Sequence, residues 1–595
     1  MNRPVFSKYS VRAMVMLICG TVAIYYFWSA RAANGEFVWG YDDLGGYYNL
    51  LGRGFAGGHL YVPVEPNPEL LRLSNPWDTS VDDALKKHDM VLFNGRYYLY
   101  HGAAPAVLLF TPWRLLTGGD FPENAALFLF CLGGYLFSAV TVLRLLRNSG
   151  IAPDPLMLAL ILSAVGICTN VLFLFSRIWV YEIAIACGYF CVSAAFYFLV
   201  RGGNYALALS GFMFGAAVAS RPHLILCGVI AAVWLTFIAR RGKYRLAIFL
   251  FTYGCVGAAI ALYNYQRFGN PLEFGLRYMI SGGFQNDIKL HPHNWIPGVY
   301  FMLLAPPHFS NVFPWSWMLH RYPFDSQLIE FPKHYFTEPA VGALWLAPFL
   351  LAAPFARGVF RMMAIAAFAV CCFLMTTQMS TQRYEVDFLP LAVTATAGGA
   401  GVFIGRCSAK ARAALISVFA VCVLFGVFVN FALGITGPYE DLRKNHPQRY
   451  LSLARTLSPF SKTRPLLNPR IDLEFIATPA IRPGGFYEPL LSIGHNQYQM
   501  YVGRSASGYR LTSQSESLIL TYERSGTEPL RIATVFLPEA GKFITSIDGR
   551  ETFRQDAAKL IVAPAGIRTG EAWVDFNAAR RFTGTIVVLR CIVEP

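Results

Sequence analysis

Two adjacent carboxylates, Asp42 and Asp43, stand a few residues beyond a first apolar run, in the stretch EFVWGYDDLGGYYNLLGRGFAGGHLY at 36–61. A carboxylate held within reach of a hydroxyl can take its proton, an effect worth on the order of 10²–10⁴ in rate. The same pair could ligate a divalent cation, magnesium or manganese, through its oxygens. It could also be a solvated turn whose acids cap the helix-compatible run beginning at Tyr47 and Tyr48. Glu182 follows Arg177 and Tyr181 at a helix start. A carboxylate there can pair with arginine, answer the positive helix terminus or take part in chemistry. Arg221, ahead of Pro222, and Arg383, which heads RYEVDFLP, carry planar, forked donors suited to phosphate. The competing role is an interfacial arginine reaching for headgroups. Arg383 stands out because Tyr384, Glu385 and Asp387 crowd around it.

These residues need elements to hold them, and the composition says which kind. The chain of 595 residues is 55% hydrophobic and 14% charged, well below the roughly 25% charged residues of soluble domains. Its apolar residues come in runs of about 20, the length that crosses a hydrocarbon core. Strands of a membrane barrel would be shorter and would alternate. The expected fold is therefore a polytopic α-helical membrane protein. Spans are expected at 12–30, 123–143, 155–174, 180–200, 204–219, 222–239, 246–263, 339–356, 362–378, 386–405 and 413–433, about eleven in all.

The net charge of +15 follows from the loops between those spans. Fifteen basic residues, among them Arg144, Arg147, Arg240, Arg241, Arg357, Arg361, Arg406 and Arg412, sit in short loops that hold one acid, Asp154. Positive-inside sorting explains this excess, so no nucleic-acid partner is expected. The N-terminus is then cytoplasmic and residues 31–121 form a first outer loop. Within it, 94–116 (NGRYYLYHGAAPAVLLFTPWRLL) is expected as an interfacial or re-entrant helix, with Tyr97, Tyr98, Tyr100 and Trp113 at headgroup depth. A second outer loop covers 264–338, where Trp295 to Ala305 reads as a further short helix, and His291, His293, His308 and His320 lack metal-ligand spacing. The 12 cysteines fall mostly inside spans and serve as small apolar filler.

The division of the chain follows from this: 1–435 as a membrane domain, 436–470 as a linker, and 471–595 as an extracytoplasmic β-rich domain. Short alternating runs such as SLILTYE, LRIATVFL and GTIVVLRCIV, separated by turn signals at Asp548-Gly549 and Pro564-Ala565-Gly566, predict a small antiparallel β-sandwich there. In the membrane domain, polar residues collect at the outer ends of the spans. They are Asp42 and Asp43; Arg177 and Glu182; Arg221 and His223; the block YNYQRFGNPLEFGLRY at 263–278; and TQRYEVDFLP at 381–390. Charges inside a membrane cost up to about 2.5–3.5 kcal/mol at a helix centre on insertion scales, so partners or a task are expected for charges in or beside the spans.

The order of these motifs resembles the GT-C superfamily of integral-membrane glycosyltransferases, which includes protein O-mannosyltransferases and the aminoarabinose transferases of lipid A. In that family an Asp in the first outer loop, followed four residues later by Tyr, opens a helix along the membrane; Asp43 with Tyr47 and Tyr48 matches. NGRYYLYHGAAPAVLLF, RIWVYEIAIACG, YNYQRFGNPLEFG and RYEVDFLP are similar to recurring stretches of bacterial relatives. The family's Asp-Glu pair is absent, since Leu44 follows Asp43, which weakens a metal role and leaves a base role.

The resemblance covers roughly 10–435 and implies a polyprenyl-phosphate sugar donor, a glycan, lipid or protein acceptor, and a site at the outer face of a bacterial inner membrane. The C-terminal domain would then be periplasmic. It implies Asp43 as the base, Asp42 and Glu182 as orienting groups, and Arg383, Arg221 and Arg177 on the donor phosphate. Tyr47, Tyr48, Tyr100, His101, Tyr384 and Arg267 are the candidate substrate contacts. Two other classes compete: a transporter of lipid-linked saccharides, which would place charge at the midplane, and a GT-C-like scaffold without catalysis.

Overall fold

The computed structural model describes the chain except residues 1–7, 35–45, 79, 152–153, 240–241, 281–289, 319–331, 333–334, 459, 481–486, 496, 517, 558, 572–580 and 595. Asp42 and Asp43 therefore lie outside the described residues, as does His320. Contacts divide the chain into two compact units, one of residues 1–306 and 325–441, the other of 307–324 and 442–595.

The first unit is helical. Among the described residues, six of its helices are long and apolar enough to cross a membrane: Val11–Arg31, Glu123–Asn148, Pro155–Leu174, Val180–Arg201, Lys243–Phe268 and Ala409–Thr436. Shorter apolar helices are Ala106–Thr117, Asn204–Ser220, Pro222–Phe237, Val359–Met375 and Leu389–Gly405. The run expected at 339–356 is broken into Ala343–Leu346 and a 3₁₀ stretch, Pro348–Phe355, with Pro354 inside it. Proline withholds an amide and crowds the preceding turn, so a continuous α-helix does not form there.

Helix starts follow local rules. Asp154 accepts a hydrogen bond from the Leu156 amide at 2.9 Å, with Pro155 at the first helical position. Glu182 accepts one from the Trp179 amide at 3.3 Å. Close helix packing depends on small residues. A Cβ at Gly398 would overlap the Phe360 ring, and one at Gly133 or Gly134 would overlap Phe190 or Tyr189. Ser138 and Ser193 join two of these helices by a hydroxyl hydrogen bond of 3.0 Å.

Between the first two long helices the chain makes a β-hairpin, Val91–Phe93 paired with Arg96–Tyr98. Asn94 and Gly95 form its turn, both at positive φ (49° and 70°), as a two-residue hairpin loop requires. The interfacial-helix expectation for 94–116 is corrected here, because that Asn-Gly turn makes 96–98 a strand and Tyr97 is buried. Only the later part, Ala106–Thr117, is helical.

The second unit is β-rich. One five-stranded antiparallel sheet runs Ile519–Ser525, Gly508–Ser515, Tyr498–Arg504, Glu488–Ile493, Ile567–Thr569. The other runs Arg550–Asp556, Lys542–Ile547, Leu530–Leu537, Arg470–Thr478, Thr585–Glu594. Alternate residues of both, such as Ile471, Leu473, Phe475, Met500, Leu511 and Phe543, enter one apolar core. Segment 307–324 belongs to this unit: Val312 and Trp317 pack on Ala563, and the Tyr450 hydroxyl donates to the Phe313 carbonyl at 3.0 Å.

Candidate functional site

Four helix ends meet at one end of the helical unit: the starts of Val180–Arg201 and Leu389–Gly405, and the finishes of Asn204–Ser220 and Val359–Met375. The connections there enclose a cavity of about 260 Å³, lined by His88, Asp89, Tyr100, His101, Arg177, Trp179, Tyr181, Arg221, Phe336, Glu338, Met379, Arg383, Tyr384 and Tyr439.

The hairpin delivers the first four of these residues. His88 and Asp89 precede one strand and Tyr100 and His101 follow the other, so strand pairing brings the two dipeptides to the same place. Three side chains brace the hairpin. The Tyr47 hydroxyl donates to the His88 carbonyl at 2.7 Å, and the Tyr48 hydroxyl to the Gly102 carbonyl at 3.1 Å. Arg267 donates to the Leu99 carbonyl at 2.8 Å and to Asn264 Oδ1 at 2.6 Å, with its guanidinium 3.8 Å from the Tyr263 ring centre. None of the three lines the cavity. The two hydroxyls and Arg267 Nη1 are engaged with hairpin backbone, while Arg267 Nε makes no hydrogen bond among the described residues.

A 3₁₀ turn, Gln382–Asp387, delivers Arg383 and Tyr384. Gln382 fixes that turn, accepting from the Val341 amide at 2.5 Å while Asn170 donates to its carbonyl at 2.7 Å. A short parallel pairing, Phe336–Thr337 with Met379–Ser380, carries Glu338 to the same wall.

The electrostatics falls into two clusters. Arg221 and His223 both reach Asp387 Oδ2, at 2.7 Å and 3.0 Å, a tight buried arrangement. Arg177 and Arg383 share Glu182 and Glu338 more loosely. Arg383 is 3.4 Å from Glu182 and 3.5 Å from Glu338, and Arg177 is 3.7 Å from each. Arg177 Nε and Nη2 and Arg383 Nε make no hydrogen bond among the described residues, although both side chains are over 90% buried. Buried guanidinium donors left unspent are costly unless a ligand takes them up. Burial, the largest influence, pulls the Arg383 pKa down, but Glu338 and Glu182 outweigh it and hold it above its ordinary value.

Aromatic rings fill the remaining wall. Arg383 lies over the Tyr181 ring at 4.4 Å and Arg177 over Trp179 at 3.8 Å. Tyr181 also hydrogen-bonds Asp89 through its hydroxyl, and meets His101 edge-on at 5.1 Å between ring centres. Asp89 is buried at φ 54°, a left-handed conformation uncommon outside glycine and often found at functional sites. Burial first, then the charges of Arg221 and Arg383, push His101 well below its ordinary pKa, so its imidazole is neutral at physiological pH. Its Nε2 has no hydrogen-bond partner among the described residues.

Of the expected site residues, Arg177, Arg221, Arg383, Tyr100, His101 and Tyr384 line this cavity. Glu182 stands behind two of its arginines. Sequence reasoning did not single out Asp89, Glu338, Trp179 or Tyr439 for a role. Asp89 had a usable signal, six residues ahead of the Gly of an Asn-Gly turn; Glu338 had none. Among the described residues no three His, Cys, Asp or Glu side chains group as a metal site. The magnesium or manganese expected at Asp42 and Asp43 falls outside them.

A second hollow, an apolar groove of about 650 Å³, lies along Lys243–Phe268 and Ala106–Thr117. Ala103 and Ala219 line it, while His101 and Arg221, two residues away on the same segments, line the polar cavity. Gly102 lets those segments touch, since a Cβ there would overlap the Ala219 carbonyl.

Comparison of the chain with protein-family models, with curated proteins and with solved structures returns no match.

Proposed function

We propose that this chain is an integral-membrane glycosyltransferase that moves one sugar from a polyprenyl-phosphate carrier to an envelope acceptor. The observation that carries the reading is the pairing of two hollows. A polar cavity lined by guanidinium, carboxylate and aromatic groups sits two residues along the chain from an apolar groove on a membrane-length helix. Rings that stack on a sugar face, carboxylates that accept its hydroxyls and forked donors for phosphate are what a sugar phosphate needs. At 260 Å³ the cavity falls below the ~300–1,000 Å³ of drug-sized pockets, a size for one sugar ring. The groove suits the first isoprene units of the carrier.

In the proposed step the acceptor hydroxyl gives its proton to a carboxylate. Its oxygen bonds the anomeric carbon as the carbon–phosphate oxygen bond breaks, and the lipid phosphate leaves with the electron pair. A single displacement inverts the anomeric centre. Arg383 and Arg177, with donors unspent, take the departing phosphate. Arg221, locked to Asp387, orients Tyr384, whose ring it overlies at 5.1 Å. The resemblance assigns the base to Asp43; within the cavity Asp89, hydrogen-bonded by the Tyr181 hydroxyl, is a second candidate, and the two assignments are separable by mutation. On this reading the shorter apolar helices other than Ala106–Thr117, together with the broken run at 339–356, bring the crossings to about eleven. The basic loops are cytoplasmic, and the cavity and the β-rich unit, its two sheets forming a sandwich, are periplasmic.

The test is release of polyprenyl phosphate from a radiolabelled lipid-linked sugar by purified protein, with transfer of label to an envelope extract. Release that depends on Arg383 supports the enzyme. Saturable donor binding without release supports a transporter instead.

A further inference from the structure

At the opposite end of the same helices lies a third hollow, of about 520 Å³. It is enclosed by the finish of Glu123–Asn148, the start of Val359–Met375 and the finish of Leu389–Gly405. Two of these helices run from this hollow to the polar cavity. Helices of 17 residues span about 25 Å at 1.5 Å per residue, so the hollows are a membrane leaflet or more apart.

The lining is of two kinds. Leu145, Phe355, Val402 and Phe403 make an apolar wall, while Arg357 and Arg406 stand at the rim with Asn148 and Ser149. Among the described residues no carboxylate lines it. Two neighbouring basic side chains are already engaged: Arg361 donates to the Ala356 carbonyl at 3.1 Å, and Arg412 to the Gly405 carbonyl at 2.8 Å. Arg357 and Arg406 differ, since neither guanidinium has a hydrogen-bond or ion-pair partner among the described residues. The turn that presents Arg357 is set by Gly358 at φ 58°, and Gly399 on the facing helix admits the close approach of Ala356.

Two unpaired guanidinium groups at the mouth of an apolar hollow, at the end of membrane-length helices, match one amphiphile: a phosphate bearing acyl chains. We infer that this hollow is a binding site for an anionic phospholipid, phosphatidylglycerol being the simplest, in the leaflet opposite the polar cavity. The lipid phosphate bridges Arg357 and Arg406, and an acyl chain lies against Phe355 and Phe403. A zwitterionic lipid fits the wall equally but brings its own cation to the arginines. Discrimination therefore rests on the two charges, each contributing through the ordinary attraction of basic groups for anionic headgroups.

Native mass spectrometry of the full-length protein, with phosphatidylglycerol and phosphatidylcholine at equal concentration, tests this. Retention of phosphatidylglycerol should exceed that of phosphatidylcholine by about tenfold or more. The double variant Arg357→Gln/Arg406→Gln should bring the two to parity, and Arg357→Lys/Arg406→Lys should keep most of the preference. Equal retention by the unmutated protein overturns the site, as does a preference unchanged in the Gln pair. Loss of the lipid to millimolar inorganic phosphate would mark a free-phosphate site and also overturn it. If the Gln pair does not fold, thermal unfolding of the unmutated protein decides: stabilisation by phosphatidylglycerol and not by phosphatidylcholine or phosphate is required.

Discussion

Arg383 and Glu182, 201 residues apart in the chain, lie 3.4 Å apart with both side chains over 90% buried. Glu338 closes on the same guanidinium at 3.5 Å, and Arg177 completes the group at 3.7 Å from each carboxylate. Such a loose, buried quartet is weak as a stabiliser, since desolvation offsets most of the attraction. What it provides is a pair of immobilised cations, each with at least one donor that makes no hydrogen bond among the described residues.

Arg383→Lys keeps the charge and removes the planar fork. On the proposed reading, turnover should fall on the order of 10²-fold, the scale of losing one oriented donor to a developing oxyanion. Thermal stability in detergent should change little. Turnover close to that of the unmutated protein would remove Arg383 from the phosphate site.

Asp43→Asn and Asp89→Asn separate the two carboxylates. The one that takes the acceptor proton should lose about 10²–10⁴ in rate when amidated, with the acid limb of its pH–rate profile abolished. The other should retain that limb. Retention of both rate and limb by each variant would deny a carboxylate base at either position.

Asp387→Ala should leave Arg221 buried without its counter-charge, a change that typically costs about 3–5 kcal/mol. Thermal unfolding should show a large loss, with Asp387→Asn intermediate. A variant as stable as the parent would mean that Arg221 finds another acceptor.

His101 sets a pH dependence. Its pKa is depressed in the folded protein by burial, then by Arg221 and Arg383, from an ordinary value of 6.5. Below pH 6.5 the unfolded chain binds a proton that the folded site refuses, so stability falls as the pH drops from 6.5 toward the folded value. Above 6.5 His101 contributes no slope. His101→Gln should flatten the acid side of a stability–pH curve; an unchanged slope would assign it to other groups.

The apolar groove gives a kinetic prediction. Ala259 is exposed and lines it, so Ala259→Trp fills the groove without entering the core. KM for a long-chain polyprenyl donor should rise several-fold while a short-chain analogue is unaffected. Equal effects on both would place the lipid elsewhere.

The sequence by itself determined the apolar helices of membrane-crossing length in the first unit and the β-rich C-terminal region, because each is a local periodicity: runs of about 20 apolar residues in one, alternation in the other. It also marked Arg177, Glu182, Arg221 and Arg383, since charges beside apolar runs are conspicuous. Only the tertiary structure decided which charges meet. Glu338 joins Arg383 through a two-residue parallel pairing with no sequence signature. The Asn94-Gly95 turn, overlooked among the aromatics around it, is what carries Asp89 and His101 into the cavity. Tyr47, Tyr48 and Arg267, polar and near the motifs, hydrogen-bond to backbone carbonyls of the hairpin region, for whether a hydroxyl or guanidinium faces a backbone carbonyl or an open hollow depends on neighbours distant in the chain. Local pattern fixes periodicity and charge; the pairing of buried charges is a property of packing.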